Sequence, residues 1–375
     1  MSRLEPYLGV LAAIALAFIV SNVPGDAWNP VTPLTETNAS STIAVISNIT
    51  LPPLTFPTIS TSTSSTVQKK SPPISKTEHA STVPATSAAA PAHLPPVYSS
   101  ADLNTAAATL RAALVNIICY SSGGGSLHSI SGSGIIIDPK GIILTNAHIA
   151  QYFLLRDRGV SCTVRSGSPA VNRYKAALIY IPPPWIRANA NVLTTQNPTG
   201  TGEQDFALLA ITNSGEGAAS PVAYSSIALA TDPPFAGTPV VIASYGAQFL
   251  ESAQVQSALF PTVVFGSVKD VYTFGTNTID VLALGGSAAA QEGSSGGGVS
   301  GGADTLLGTI TTSTVEGNTA TRSLDAITAS YIRAAYASET GSPIDTLLAE
   351  SPANSVANFA TQSSVLEAIL TAQLP

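Results

Sequence analysis

Charge is scarce in this chain. Only 10% of its 375 residues are Asp, Glu, Lys or Arg, and the formal balance is −7. With no basic patch there is no electrostatic footprint for nucleic acid, and solubility must rest on Ser, Thr, Asn and backbone groups. Cysteine is nearly absent too. Cys119 and Cys162 are too few for a zinc site and wrongly spaced for one, and no motif implies a metal or any other cofactor. They read as two buried thiols or, in an exported chain, as a disulfide. Histidine is limited to His79, His93, His128 and His148. The first two lie in a polar stretch and the third beside Gly123-Gly124-Gly125, so all three suit solvent-exposed positions. No histidine follows His148.

Glycine and serine, by contrast, are concentrated in one place, Gln291-Glu292-Gly293-Ser294-Ser295-Gly296-Gly297-Gly298. Taken alone this is a flexible linker or a tight loop. Its flanks exclude the linker, because residues 278–284 and 305–312 are rich in Val, Ile, Leu and Thr and read as strands. Glycine there permits positive φ and close approach of another backbone. A serine in such a turn can expose its Oγ while neighbouring N–H groups converge on one point. Gly293, Ser295 and Gly297 also fit Gly-x-Ser-x-Gly, but that elbow needs a histidine later in the chain. A base for Ser295 must come from upstream.

Composition divides the chain in four. Residues 1–23 hold Arg3 and an apolar run from Tyr7 to Val20, extendable to Val23. Its length lies between a signal-peptide core and a short membrane span. It reads as an uncleaved membrane anchor with a signal peptide as the alternative, and either makes the rest exported. Residues 24–100 are dominated by Thr, Ser, Pro and Ala, which cannot bury enough apolar surface to offset ordering entropy, so a disordered stalk is expected. Residues 101–340 carry the strand-like runs. A lead-in helix is expected at 101–114, strands at 115–119 and from Cys162, and a hairpin from Gly134 through Asp138-Pro139-Lys140-Gly141 to Thr145. Enlarged loops are expected at 181–202 and 245–261, and a helix at 329–338 capped by Thr328 or Asp325. In the tail, 341–375, Phe359, Leu366, Ile369 and Leu370 suit a short amphipathic helix.

Three segments together carry a resemblance. The hairpin runs straight into Thr145-Asn146-Ala147-His148, and residues 133–148 look like the catalytic-histidine segment of trypsin-like serine proteases, particularly the HtrA/Deg type. Gly202-Glu203-Gln204-Asp205-Phe206-Ala207-Leu208-Leu209 resembles their acid segment, and residues 287–297 the stretch bearing their nucleophile. The order His, Asp, Ser matches the family. The resemblance implies an all-β fold of two six-stranded antiparallel Greek-key barrels, chymotrypsin-like, with a closing C-terminal helix. It implies a catalytic triad of His148, Asp205 and Ser295, with an oxyanion hole at the N–H groups of Gly293 and Ser295. Residues 341–375 are too few for the PDZ module many HtrA-type enzymes carry, and Ser294 and Gly298 replace the family's usual residues.

The same resemblance places Ala289, six positions before the nucleophile, at the base of the specificity pocket, with the strand around Thr311 as the opposite wall. No carboxylate stands there to receive Lys or Arg, so small or medium apolar residues are expected before the cut. The function expected is an exported serine endopeptidase acting on protein or peptide substrates, held at the membrane by its N-terminal segment or secreted. A non-catalytic, surface-displayed binding module on a protease fold is the alternative.

Overall fold

The computed structural model describes residues 94–121, 127–195, 200–214, 221–314 and 316–374. The expected anchor and most of the expected stalk lie outside them. Among the described residues no helix is long and apolar enough to cross a membrane.

Helix α1, Ser100–Ala113, begins at a capping box in which Ser99 and Asp102 satisfy each other's backbone N–H groups. Ala106, Leu110 and Ala113 recur on one face and are buried. This face meets strands of both sheets.

Strands β1 (Leu114–Ser121), β2 (Ile130–Asp138), β3 (Ile142–Thr145), β4 (Val160–Gly167), β5 (Ala170–Tyr180) and β6 (Ala207–Ser214) close into an antiparallel barrel in the order β1-β2-β3-β6-β5-β4. The β2–β3 hairpin turns where expected. Asp138 accepts from the N–H of Lys140, and Gly141 takes φ +89°, a conformation glycine adopts without a Cβ clash.

Cys119 on β1 lies directly opposite Cys162 on β4, and the two are disulfide-bonded. The link closes a loop across 43 positions, which the chain-entropy account values at about 4 kcal/mol. Cys119→Ser with Cys162→Ser should therefore lower the unfolding free energy by that amount, with a higher m-value because the denatured chain is no longer cross-linked. A loss below about 1 kcal/mol would contradict the entropic account.

The second sheet contains β7 (Pro239–Ser244), β8 (Thr262–Ser267), β9 (Asp270–Tyr272), β10 (Val281–Ala283), β11 (Gly298–Ser300), β12 (Leu306–Ser313) and β13 (Leu324–Thr328), ordered β8-β7-β11-β12-β13-β10-β9. Its edges, β8 and β9, are consecutive in the chain. Val268 exchanges backbone bonds with the Gly237–Thr238 side, at 2.8 and 2.9 Å, and Lys269 donates to Ala283 at 2.7 Å. A corner of the chain thus links the two edges, and this second sheet has seven strands where six were expected, because the chain bends between β8 and β9. The architecture is a chymotrypsin-like double barrel.

Two loops hold more structure than expected. The 181–202 segment contains α3 (Pro183–Asn189), α2 being the single turn Ala147–Ala150, and the 245–261 segment contains α4 (Ser252–Ser257). Helix α5, Ala329–Thr340, is capped by Thr328, whose Oγ1 accepts from the N–H of Tyr331. The tail forms α6 (Ile344–Ala349) and then the 20-residue α7 (Pro352–Thr371). Phe359, Leu366 and Leu370 of α7 are buried, and the helix lies on β5 and β6.

Candidate active site

Register brings the histidine and the acid together. On adjacent strands β3 and β6, Thr145 pairs with Ala207. His148, three residues beyond the first, and Asp205, two before the second, therefore leave the same end of the barrel. His148 Nδ1 lies 2.7 Å from Asp205 Oδ2, and the His148 backbone N–H donates to Oδ1 at 3.0 Å. Asn146 Nδ2 donates to the Asp205 carbonyl at 2.8 Å, which fixes the acid's backbone against the histidine turn.

Asp205 is 6% exposed, and a buried carboxylate needs hydrogen bonds to remain ionised. It has a further one from Thr311 Oγ1 on β12, at 2.9 Å. Thr311, expected on the pocket wall, thus commits its hydroxyl to the acid. The turn before Asp205 is held by Gln204, at φ +57°, whose N–H donates to the Tyr331 hydroxyl at 3.0 Å. Burial pushes the Tyr331 phenol up to about 12, so it stays protonated at neutral pH.

With Nδ1 engaged by the carboxylate, the tautomer consistent with this contact carries its proton there and leaves Nε2 free to accept one. The His148 side chain keeps 25% of its surface exposed, so its outer edge opens to solvent.

The glycine turn sits between the barrels. The Ser295 carbonyl accepts from the Ser133 N–H of β2 at 2.7 Å, and Gly296 N–H donates to Ile310 of β12 at 2.9 Å. A Cβ on Gly296, at φ +84°, would stand 2.0 Å from the Ser133 oxygen and 2.6 Å from Thr145 Oγ1. Only glycine permits this approach to the strand that leads into His148. Ser133 Oγ also donates to the Gly293 carbonyl and accepts from the Tyr245 N–H, both at 2.8 Å.

The two adjacent serines differ sharply. Ser294 is 1% exposed and its Oγ accepts from Ser244 at 3.0 Å. Ser295 is half-buried, and its Oγ makes no hydrogen bond among the described residues, to His148 or to any other group. Resting sites commonly tighten such contacts only with substrate. The N–H groups of Ser294, Gly296 and Gly297 are paired within the protein, whereas those of Gly293 and Ser295 are not paired among the described residues. Two free donors around one free hydroxyl can serve an oxyanion.

Ala289 and Ala290 are fully buried and bring no charge. His128 is exposed, as expected for a loop histidine. No cluster of three or more His, Cys, Asp or Glu suited to a metal occurs among the described residues. Asn146, Ser133 and Thr311 as a partner of the acid were not singled out from sequence. Asn146 stands two residues before His148, which is the one local signal available. The Thr311 and Ser133 contacts are long-range.

Residues 132–308 match the family model of the trypsin-like peptidase domain. No curated protein matches the chain. Among solved structures it is similar to the Rv3671c protease of M. tuberculosis. The inactive form is 18% identical with a TM-score of 0.39, covering 64% of this chain and 96% of that one. The active form is 18% identical with a TM-score of 0.40, covering 67% and 95%.

Proposed function

From the premise that residues 132–308 are a trypsin-like peptidase domain and the protein a serine protease hydrolase, we propose that it is an exported endopeptidase working through a triad of His148, Asp205 and Ser295. The observation that carries this reading is the His148–Asp205–Thr311 network at the barrel junction, beside a turn whose Ser295 hydroxyl is free.

Ser295 Oγ attacks the scissile carbonyl while His148 Nε2 takes its proton. Asp205 steadies the imidazolium so formed. The tetrahedral oxyanion is received by the N–H groups of Gly293 and Ser295. Its collapse breaks the C–N bond, and His148 returns the proton to the departing amine. Water, deprotonated by His148, then releases the acyl group and restores Ser295.

Export rests on the apolar run at 1–23 and the polar stalk at 24–100, and the Cys119–Cys162 disulfide supports it, since such bonds persist in oxidising compartments. The catalytic unit spans 101–340, with the membrane anchored form as the working arrangement.

Small or medium apolar residues are preferred before the cut. Ala289 offers no carboxylate, and the buried guanidinium of Arg322, bonded to the Ala290 carbonyl at 2.8 Å, adds charge of the wrong sign for Lys or Arg. Profiling a peptide library with the full-length chain should show cleavage chiefly after Ala or Val. Dominant cleavage after Lys or Arg would refute the pocket assignment.

A further inference from the structure

Arg322 lies just before β13 and is 5% exposed, yet no carboxylate among the described residues pairs with it. A buried charge without a counter-ion is costly unless hydrogen bonds replace its hydration. Here they come from three separate segments. Nη1 donates to Gln248 Oε1 at 2.6 Å and to the Ala290 carbonyl at 2.8 Å. Nε and Nη2 both donate to the Gly317 carbonyl, at 3.1 and 2.9 Å. The Phe249 ring stands 5.7 Å from the guanidinium carbon.

These three acceptors belong to the 245–251 loop, the segment entering the glycine turn, and the loop after β12. The segments are also pressed together elsewhere. A Cβ on Gly286 would lie 2.3 Å from the Ala320 backbone, and the Ala247 N–H donates to the Glu292 carbonyl at 2.8 Å. The far side of the 245–257 segment is held in the same manner from the first barrel. Buried Arg165 donates to the carbonyls of Val255 and Gln256, both at 2.8 Å. On its Ala290 side the turn carrying Gly293 and Ser295 is held locally by Ser287 Oγ, which accepts from the Ala289 N–H, and by Gln291, which donates to the Ala288 carbonyl. From other segments it is held by the Ala247 N–H and by Arg322, of which Arg322 alone also reaches the loop after β12.

We propose that Arg322 is a positioning residue that locks these three segments and thereby sets the direction of the Gly293 and Ser295 N–H groups. The planar fork matters as much as the charge, because one guanidinium reaches three acceptors at fixed angles, which an ammonium cannot do. The reading builds on the protease function above, so its test needs a readout that does not depend on turnover.

In the full-length chain, Arg322→Gln and Gln248→Ala are compared with wild type by peptide cleavage and by amide hydrogen exchange. A misaligned oxyanion site should act on the transition state. We expect kcat to fall roughly 10- to 100-fold for Arg322→Gln, with KM changed less than about threefold, the pattern of an interaction made in the transition state. Gln248→Ala removes one arm and should lower kcat only a few-fold; it reads the proposal should Arg322→Gln fail to fold. Exchange should rise in peptides covering 286–297 and stay unchanged in those covering 142–148. If wild type cuts no peptide, the protease reading falls while exchange still decides the clamp. Unchanged exchange at 286–297, or an activity loss carried entirely by KM, overturns it.

Discussion

Ser295→Ala should lower kcat by about a million-fold, the scale on which loss of a serine nucleophile acts when His and Asp remain. The neighbouring Ser294→Ala should leave kcat within a few-fold of wild type. The contrast follows from where the two hydroxyls lie. Ser294 Oγ is buried and accepts from Ser244, so its removal costs stability, on the order of 1 kcal/mol for one hydrogen bond. Ser295 Oγ is half-buried and, among the described residues, makes no hydrogen bond, and neither do the N–H groups of Gly293 and Ser295 beside it. Steady-state cleavage of one peptide by both variants, with unfolding midpoints measured alongside, separates the two. Equal loss of kcat in both would assign the nucleophile wrongly.

Asp205→Asn should reduce kcat by about 10⁴-fold with little change in fold. The substitution keeps the shape of a group that receives bonds from the His148 N–H and Thr311. What changes is the partner of His148 Nδ1, now 2.7 Å from a carboxylate oxygen. An amide N–H turned towards that nitrogen would force the proton onto Nε2, the position that must accept from serine. An amide oxygen in its place would keep the tautomer but supply no charge to steady the imidazolium. A kcat within about tenfold of wild type would show that the contact is structural.

Much of this site is legible in the sequence because its parts are local. The hairpin leading to His148, the acid before Phe206-Ala207-Leu208-Leu209 and the glycine turn are each continuous, and the Thr328 cap announces α5. The junction is not local. Nothing in the sequence fixes Thr145 opposite Ala207, or sends Thr311 across to Asp205, since those follow from register and from packing one barrel on the other. Strand β10 is shorter than the apolar run at 278–284 suggests. Buried Asp280 accepts from Thr273, Thr278 and the Phe274 N–H, and this polar knot holds 273–280 as a turn. The helices within 181–202 and 245–261 were hidden for another reason. Prolines at 182–184 suggest a loop, yet proline is well placed in a helix's first turn. Arg322 looks like an ordinary surface cation in sequence, and only burial among three carbonyl-type oxygens reveals its role.

The central claim is that Ser295 is a hydroxyl activated by His148. Full-length protein treated with a serine-directed phosphonate, digested and mapped by mass spectrometry, addresses it directly. A single adduct on Ser295, abolished by His148→Ala and retained in Ser294→Ala, is the expected result. A folded wild-type protein with no adduct, or with the adduct on Ser294, would contradict it.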